Sequence, residues 1–324
     1  MRQSVRAVFV VLASILAAPA ALAQVYPAKP LRLVVPYPAG GGTDFFARAV
    51  GAQLAQQLGQ PVVVENRPGA ATIIGAETVA KSAPDGYTLL LGDTATFAVN
   101  PSLYKKLPYD PSKDLAPITM TGRFALLLVV NPAKLKTASV KDLVDEARKA
   151  PGKYDYASPG PGSPHHLAME MFKQRTDTQL THVPYKGAGP AIQDLLGGQI
   201  PLMFLDLAAG APQIKAGKIR ALAVASDKRI AALPDLPTVA ESGVPGFEAW
   251  AWQALAVPIA TPREIVARLN AEFRKAVSVP ELRQKLIDAG IDPLQSSPED
   301  ASAYIRSETL KWSKVISDGR ITVE

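Results

Sequence analysis

The stretch 36-PYPAGGGTDFFAR-48 decides the fold of this chain, because it joins a buried strand to a helix through three glycines. Residues 31–36 are apolar and predict the strand. A stripe of large apolar residues at every fourth position predicts the helix: Phe46, Val50, Leu54 and Leu58. We expect the helix to end at Gly59 and to have Thr43 or Asp44 as its N-cap. Free backbone N–H groups and a positive helix end then lie beside the strand's carboxyl end, where an anion can bind.

The glycines of this loop allow the main chain to approach a ligand closely. Nucleotide motifs do not fit the spacing: G-x-G-x-x-G requires a glycine where Phe45 stands, and no Gly-Lys-Ser/Thr follows for a P-loop. A tight turn between strand and helix with no ligand explains the loop equally well. The loop alone therefore leaves both interpretations open.

The rest of the chain repeats the alternation of short apolar segments, turn signals and helical patterns. This alternation predicts an α/β fold with parallel sheets covered by helices on both faces. The further predicted strands are 62–65, 87–91, 154–157, 181–184, 200–204 and 218–225. The further predicted helices are 73–81, one opening over 166–172, 190–196, one capped by Thr261-Pro262 that runs to about 277, 280–289 and 298–317.

A second loop, 158-SPGPGSPHH-166, also precedes a helix. Two such loops can clamp a carboxylate from opposite sides with helix dipoles and hydroxyls alone. The second loop contributes Ser158, Gly160, Gly162 and Ser163. A third segment, 92-GDTATF-97, follows a predicted strand, and we expect its hydroxyls Thr94 and Thr96 to face the same cleft.

The histidines do not form a metal-binding pattern. His165, His166 and His182 lie near Glu170 in sequence, but no H-E-x-x-H or comparable spacing exists, and adjacent histidines on a helix point apart. We expect one of them to donate a hydrogen bond to a ligand or to the loop. Ser163 lies in Gly-Ser-Pro and not in G-x-S-x-G, which argues against a hydrolase.

Two tryptophans precede an apolar segment near the end of the second half of the chain. Trp250 and Trp252 fit either stacking on a ligand or packing in the core, and the sequence leaves both open.

The first residues predict export. Arg2 and Arg6, the apolar residues 7–18 and the sequence Ala21-Leu22-Ala23 predict a signal peptide over 1–23, cleaved after Ala23. The apolar run is shorter than the roughly 20 residues that span a bilayer. The chain contains no cysteine, which excludes disulfides, thiolate metal sites and cysteine nucleophiles. Together these features favour a soluble periplasmic protein.

The net charge of the chain is +6, and removing Arg2 and Arg6 leaves +4. No dense basic run or basic–aromatic interleaving is present, so we expect no nucleic-acid partner.

The sequence resembles the Bug family of periplasmic solute receptors, the binding components of tripartite tricarboxylate transporters. The resemblance covers essentially the whole chain after the predicted signal peptide. It is carried by segments that include 27-PAKPLRLVVPYPAGGGTDFFAR-48, 61-PVVVENRPGA-70, 84-PDGYTLLLG-92, 182-HVPYKGAGPAIQDLLGGQI-200 and 233-LPDLPTVAESGVPGFE-248.

The resemblance implies a type II periplasmic-binding-protein fold, in which two α/β lobes joined by a hinge close on a ligand in the cleft between them. The implied lobes are 25–124 plus 250–324 and 125–249. A ligand carboxylate would be gripped by both loops, partly through water. The implied ligand-binding residues are Tyr37, Ala39, Gly40, Gly41, Thr43 and Asp44 in the first loop; Ser158, Gly160, Gly162, Ser163 and His166 in the second; and Asp93, Thr94, Thr96 and Asp206 elsewhere in the cleft.

The expected function is therefore that of a receptor without catalysis, cofactor or metal. Its partners would be a small organic carboxylate and the integral-membrane permease subunits of a transporter, and we expect a monomer. Two alternatives stay open: an extracytoplasmic ligand sensor with a signalling partner, and an α/β hydrolase-type enzyme. Dicarboxylates, tricarboxylates, aromatic acids and acidic amino acids all fit as ligands.

Overall fold

The structure, a computed structural model, describes residues 26–323 of the chain. The predicted signal peptide lies outside the described residues. Within them, no helix combines the length and the apolar character that crossing a bilayer requires.

Ten strands alternate with helices along residues 26–323. The strands are β1 (Leu31–Val35), β2 (Val62–Asn66), β3 (Thr88–Asp93), β4 (Leu115–Val130), β5 (Asp155–Ser158), β6 (Thr181–Pro184), β7 (Leu202–Asp206), β8 (Arg220–Val224), β9 (Trp250–Pro258) and β10 (Ile291–Pro293). The helices are α1 (Gly42–Leu58), α2 (Ile73–Ala80), α3 (Asn100–Leu103), α4 (Pro111–Asp114), α5 (Val140–Lys149), α6 (Pro164–Thr176), α7 (Ala188–Gly197), α8 (Leu207–Lys215), α9 (Arg263–Val277), α10 (Pro280–Asp288) and α11 (Pro298–Asp318), with a π-helical segment at Ala95–Val99 before α3. These elements confirm the predicted α/β alternation.

The strands form two groups that share β4. The first sheet has the order β2-β1-β3-β9-β4, with β10 also paired to β4. The second sheet consists of β4, β7, β5 and β6 in that order, with β8 also paired to β4. Residues Leu115 to Ala125 pair with β9, and Leu126 to Val130 pair with β7. The long strand β4 therefore leaves one sheet and enters the other between Ala125 and Leu126.

The prediction of parallel sheets holds for only part of each sheet. Strands β1, β2 and β3 are parallel to one another, as are β5, β6 and β7. Strands β4, β8, β9 and β10 instead pair antiparallel. An apolar run reports burial on both faces and carries no information on direction. The first sheet is mixed because β9 runs antiparallel to both β3 and β4, and the second sheet is mixed because β4 runs antiparallel to β7 and β8.

Helix α1 packs on the first sheet through the predicted stripe. Phe46, Val50 and Leu54 are each at most 5% exposed, and burying each side chain contributes roughly 1.5–3 kcal/mol. The ring of Phe46 lies 6.4 Å from that of Phe273 on α9. Gly59 ends the helix at φ 65°, and its N–H donates to the Ala55 carbonyl. This packing fixes the start of α1 at the carboxyl end of β1.

The two tryptophans at the start of β9 belong to the core. Trp252 is fully buried, stacks on Phe97 at 6.2 Å and donates its Nε1–H to Glu308 at 2.8 Å. Trp250 is buried as well, with the guanidinium of Arg123 3.9 Å from its ring centroid. Of the two interpretations left open by the sequence, core packing is the one that these contacts support.

Candidate functional site

The first glycine loop leads into α1 without a side-chain cap. The N-cap residue is Gly41, in an extended conformation, and no side chain caps it. The prediction of Thr43 or Asp44 as N-cap is wrong, because the helix begins two residues earlier than the polar pair indicates. Gly40, at φ +90°, turns the chain into this position, and that conformation favours glycine.

Asp44 organises the loop from inside the first turn of α1. Its Oδ2 accepts hydrogen bonds from the Gly40 N–H at 3.0 Å and from Arg48 Nε at 2.9 Å, and its Oδ1 accepts from Asn66 Nδ2 at 3.0 Å. Asn66 Nδ2 also donates to the Tyr37 carbonyl at 3.0 Å. Hydrogen bonding from Arg48, then from Gly40 and Asn66, lowers the pKa of the Asp44 carboxyl to about 2. The hydrogen bonds of the Asp44 carboxylate therefore lie within the loop and its supports, and no sequence pattern points to the part played by Asn66.

Replacing Asp44 by asparagine is expected to lower the free energy of unfolding by about 2 kcal/mol at neutral pH, because Arg48 loses its charged acceptor. The folded pKa of about 2 lies below the ordinary 3.8, so this stabilisation is present above about pH 4 and is lost as the pH falls towards 2. Urea unfolding at pH 7 and near pH 2.5 measures the effect. Asp145→Asn, which breaks an exposed i,i+4 pair with Lys141, is the matched control. An equal loss at both pH values would contradict the role given to Asp44.

Four backbone N–H groups at the start of α1 have no acceptor within residues 26–323. They belong to Gly41, Gly42, Thr43 and Asp44, whereas the next N–H, that of Phe45, donates to the Gly41 carbonyl at 2.9 Å. Residues 39–42 are exposed. Unpaired N–H groups at an exposed helix start carry the positive end of the helix dipole and can bind an anion.

Tyr37, Asp93 and Thr96 form one connected group behind this loop. The Tyr37 hydroxyl donates to Asp93 Oδ2, and the Thr96 N–H donates to Asp93 Oδ1 at 3.0 Å. Burial, followed by the adjacent Asp93, raises the pKa of Tyr37, and burial raises the pKa of Asp93. The hydroxyl of Thr94 accepts from the Trp252 N–H at 3.1 Å. Thr94 and Thr96 are fully buried, so their hydroxyls support the wall of the site from within and do not face the cleft as expected.

The second glycine loop is closed by its own hydrogen bonds. Ser163 is the N-cap of α6 and accepts from the His166 N–H at 3.3 Å, while its own hydroxyl donates to the Gly160 carbonyl at 2.8 Å. The Gly160 N–H donates to Ser158 Oγ at 3.2 Å, and the Gly162 N–H donates to His166 Nδ1 at 3.1 Å. Pro161 and Pro164 have no N–H. Far fewer free donors therefore remain here than in the first loop.

His166 holds the second loop as a hydrogen-bond acceptor. His166 Nδ1 accepts from the Gly162 N–H, so the proton of this neutral ring is on Nε2. The ring stacks on His182 at 4.0 Å, and Ser158 Oγ lies 2.6 Å from His182 Nε2. Burial, followed by the neighbouring His182 and Lys173, lowers the pKa of His166 to about 3. Burial likewise lowers the pKa of His182 to about 4, so both rings are neutral near pH 7.

His165 lies beside Asp206, a predicted site residue at the end of β7. His165 Nε2 is 3.1 Å from Asp206 Oδ2, although neither ring nitrogen makes a well-aligned hydrogen bond within residues 26–323. Asp206 is close enough to Tyr37 to raise its pKa. Asp206, on the second sheet, therefore lies near Tyr37 of the first loop. His165 was not among the predicted site residues, because the sequence alone does not show which of two adjacent histidines on a helix faces Asp206.

Close contacts bring the two sheets together around these loops. A Cβ placed on Gly162 would lie 2.7 Å from Leu103 Cδ2, and one on Gly290 would lie 3.0 Å from the Ala208 nitrogen. Thr43, on the first sheet's side, accepts a hydrogen bond from Gln253 Nε2 of β9, a contact that the sequence did not predict. Among the described residues, no group of three His, Asp or Glu side chains is arranged to hold a metal ion.

Comparisons with known proteins identify the family to which this chain belongs. The sequence model of the family described as "Tripartite tricarboxylate transporter family receptor" (TctC) matches residues 46–320. This chain belongs to the TctC family. Among its relatives, Protein BugT of Bordetella pertussis is 39% identical over 91% of this chain and 91% of its own length. The recognition of a Bug-type protein from the sequence is thereby confirmed.

Two solved structures of the family extend the comparison to the fold. One is described as "Structure of a periplasmic transporter" and is 42% identical, with a TM-score of 0.84 over 92% of this chain and 100% of its own. The other, R. palustris Rpa4515 with adipate, is 38% identical, with a TM-score of 0.85 over 92% of this chain and 99% of its own. The TctC-family chain described here therefore has the periplasmic-binding-protein fold, and it is a periplasmic solute-binding protein. The family is described as one of receptors, and another solved structure similar to this chain is described as the periplasmic binding protein BugD.

Proposed function

We propose that this TctC-family protein captures a small carboxylate between its two sheets and delivers it to the integral-membrane permease subunits of a tripartite tricarboxylate-type transporter. The observation that carries the proposal is the set of four unpaired N–H groups at the exposed start of α1. The structure of R. palustris Rpa4515 contains adipate, a dicarboxylate. The protein acts as a monomer, is exported by cleavage after Ala23, and performs no chemistry on its ligand.

The two lobes that close on the ligand are 25–124 plus 250–324 and 125–249. The transfer of β4 from one sheet to the other between Ala125 and Leu126 supports the first of these boundaries, and the return of the chain at β9 supports the second. The first loop supplies backbone donors to the carboxylate. The second loop, with His165 and Asp206 behind it, closes over the ligand from the other lobe.

The test is a thermal-shift screen of residues 24–324 against mono-, di-, tri- and aromatic carboxylates and acidic amino acids. A ligand at 100 times its dissociation constant stabilises the folded protein by about 2.7 kcal/mol, a clear rise in melting temperature. The uncharged diamide of each active dicarboxylate is the matched control and is expected to give no shift, because helix N–H groups favour the anion. NMR of the ligand recovered afterwards is expected to show it unchanged. A panel with no active member, measured on refolded protein freed of bound ligand, would overturn the proposal.

A further inference from the structure

We propose that Gln253 is a positioning residue that turns the hydroxyl proton of Thr43 towards the bound carboxylate. The proposal rests on the function proposed above. The Thr43 hydroxyl then joins the backbone N–H groups of the first loop as a donor to the ligand. Gln253, more than 200 positions away in sequence, sets the direction of its proton.

Gln253 is built into the first sheet beneath the loop. In β9 it stands opposite Asp93 of β3 and Gly122 of β4. Its side chain is almost completely buried, at 3% exposure, and its Nε2 donates a hydrogen bond to Thr43 Oγ1. Thr43 is the second residue of α1 and is half-buried. The glutamine therefore reaches from the sheet to the helix end that carries the unpaired N–H groups.

A threonine hydroxyl has a single proton, and its oxygen can accept as well as donate. Because the Gln253 amide occupies the acceptor side of the Thr43 oxygen, the hydroxyl proton must point elsewhere. No second hydrogen bond uses this hydroxyl within residues 26–323. The proton is thus available to a ligand at the start of α1, next to the free N–H groups of Gly41 and Gly42. A threonine whose partner were an acceptor would instead present a lone pair to the ligand and repel a carboxylate.

The unpaired carbonyl oxygen of the Gln253 side chain indicates that this residue does more than fill space. Its Oε1 is buried with no hydrogen-bond partner in the described part of the chain. A buried acceptor without a partner is unfavourable, and an apolar side chain of similar size would fill the same space without it. What glutamine supplies and an apolar residue does not is the N–H donor to Thr43.

Glutamate at position 253 reverses the hydrogen bond, because a carboxylate can only accept. Gln253→Glu is therefore expected to draw the Thr43 proton away from the ligand, and it also adds a charge. The two effects separate in a double-mutant cycle with Thr43→Val, which removes the hydroxyl and leaves the charge effect alone. The affinity is measured by calorimetry with the carboxylate that gives the largest melting shift in the panel. In the presence of Thr43, Gln253→Glu is expected to cost the hydrogen bond from the Thr43 hydroxyl to the charged carboxylate. The substitution should therefore weaken binding about tenfold more with Thr43 present than in the Thr43→Val background.

Thr43→Ser, which keeps the hydroxyl, is expected to restore that tenfold difference. A merely structural role of Gln253 would weaken binding equally in both backgrounds, and that result would overturn the proposal. The ligand-free protein provides a second measurement, since the Gln253 side-chain amide protons are expected to show a nuclear Overhauser effect to the Thr43 methyl group. Absence of this effect would overturn the geometry. A wild-type protein that binds no member of the panel would instead contradict the proposed function, while the amide–methyl measurement still tests the contact.

Discussion

Lowering the pH from 6.5 to about 4.5 is expected to reduce the free energy of unfolding by roughly 2 kcal/mol through His166 alone, with a slope that approaches about 1.4 kcal/mol per pH unit below pH 6. The pKa of this buried ring is about 3 in the folded protein, against 6.5 ordinarily. As the pH falls below 6.5, the unfolded chain therefore takes up a proton that the folded protein does not. The loss begins near pH 6.5 and is complete near pH 3. His182, with a pKa of about 4, adds a smaller effect because solvent partly screens it.

Urea unfolding between pH 8 and 4.5 measures this dependence, and His166→Gln tests its source. Glutamine at this position can still accept from the Gly162 N–H but does not titrate, so the slope below pH 6.5 is expected to become shallower. Asp44→Asn is the control, because its own effect lies below pH 4 and should leave this slope unchanged. If His166→Gln does not fold, NMR titration of the His166 ring in the wild-type protein replaces it. A ring that titrates near pH 6.5 would contradict the prediction.

Much of the fold could be predicted because local patterns agreed with tertiary packing. The stripe at Phe46, Val50 and Leu54 with a terminal Gly59 describes α1 almost to the residue. Strand β4 could not be recognised in the same way. Its 16 residues are longer than the short segments elsewhere, and a near-continuous apolar run fits a buried helix as well as a buried strand. The antiparallel direction of β4 and β9 depends on their pairing, which a single segment does not encode.

The candidate site was predictable as two glycine loops but not as a hydrogen-bond network. Glycines followed by apolar residues at helical spacing indicate the start of a helix, and a helix does begin at each of the two loops. Which of their donors are free depends on distant partners. Asn66 lies 22 residues from the Asp44 that it supports, and Gln253 is 210 residues from Thr43. The glycine patterns therefore do not show that the second loop is largely satisfied by its own hydrogen bonds, whereas the first loop keeps unpaired N–H groups.

Gly162→Ala is expected to weaken carboxylate binding by about tenfold or more, equivalent to 1.4 kcal/mol. The added methyl group would lie 2.7 Å from Leu103 Cδ2 across the space between the sheets, with Val99 Cγ1 at 3.6 Å. Because the second loop approaches α3 at this point, the methyl group holds the lobes apart and disfavours the closed state. Binding is then weaker to the extent that it requires closure. Calorimetry gives the affinity, and small-angle scattering with and without ligand gives the change in radius of gyration.

The substitution also places alanine at φ +74°, which is unfavourable in itself. Gly152→Ala separates the two effects, because Gly152 has φ +71° with nothing within 4 Å of an added Cβ. This control is expected to lose stability but keep its affinity. Leu103→Ala added to Gly162→Ala removes the obstruction and leaves the backbone strain, so affinity and ligand-induced compaction should return while stability stays reduced. Failure of Leu103→Ala to restore affinity would mean that Gly162 acts through the shape of its own loop and not through the approach of the two lobes.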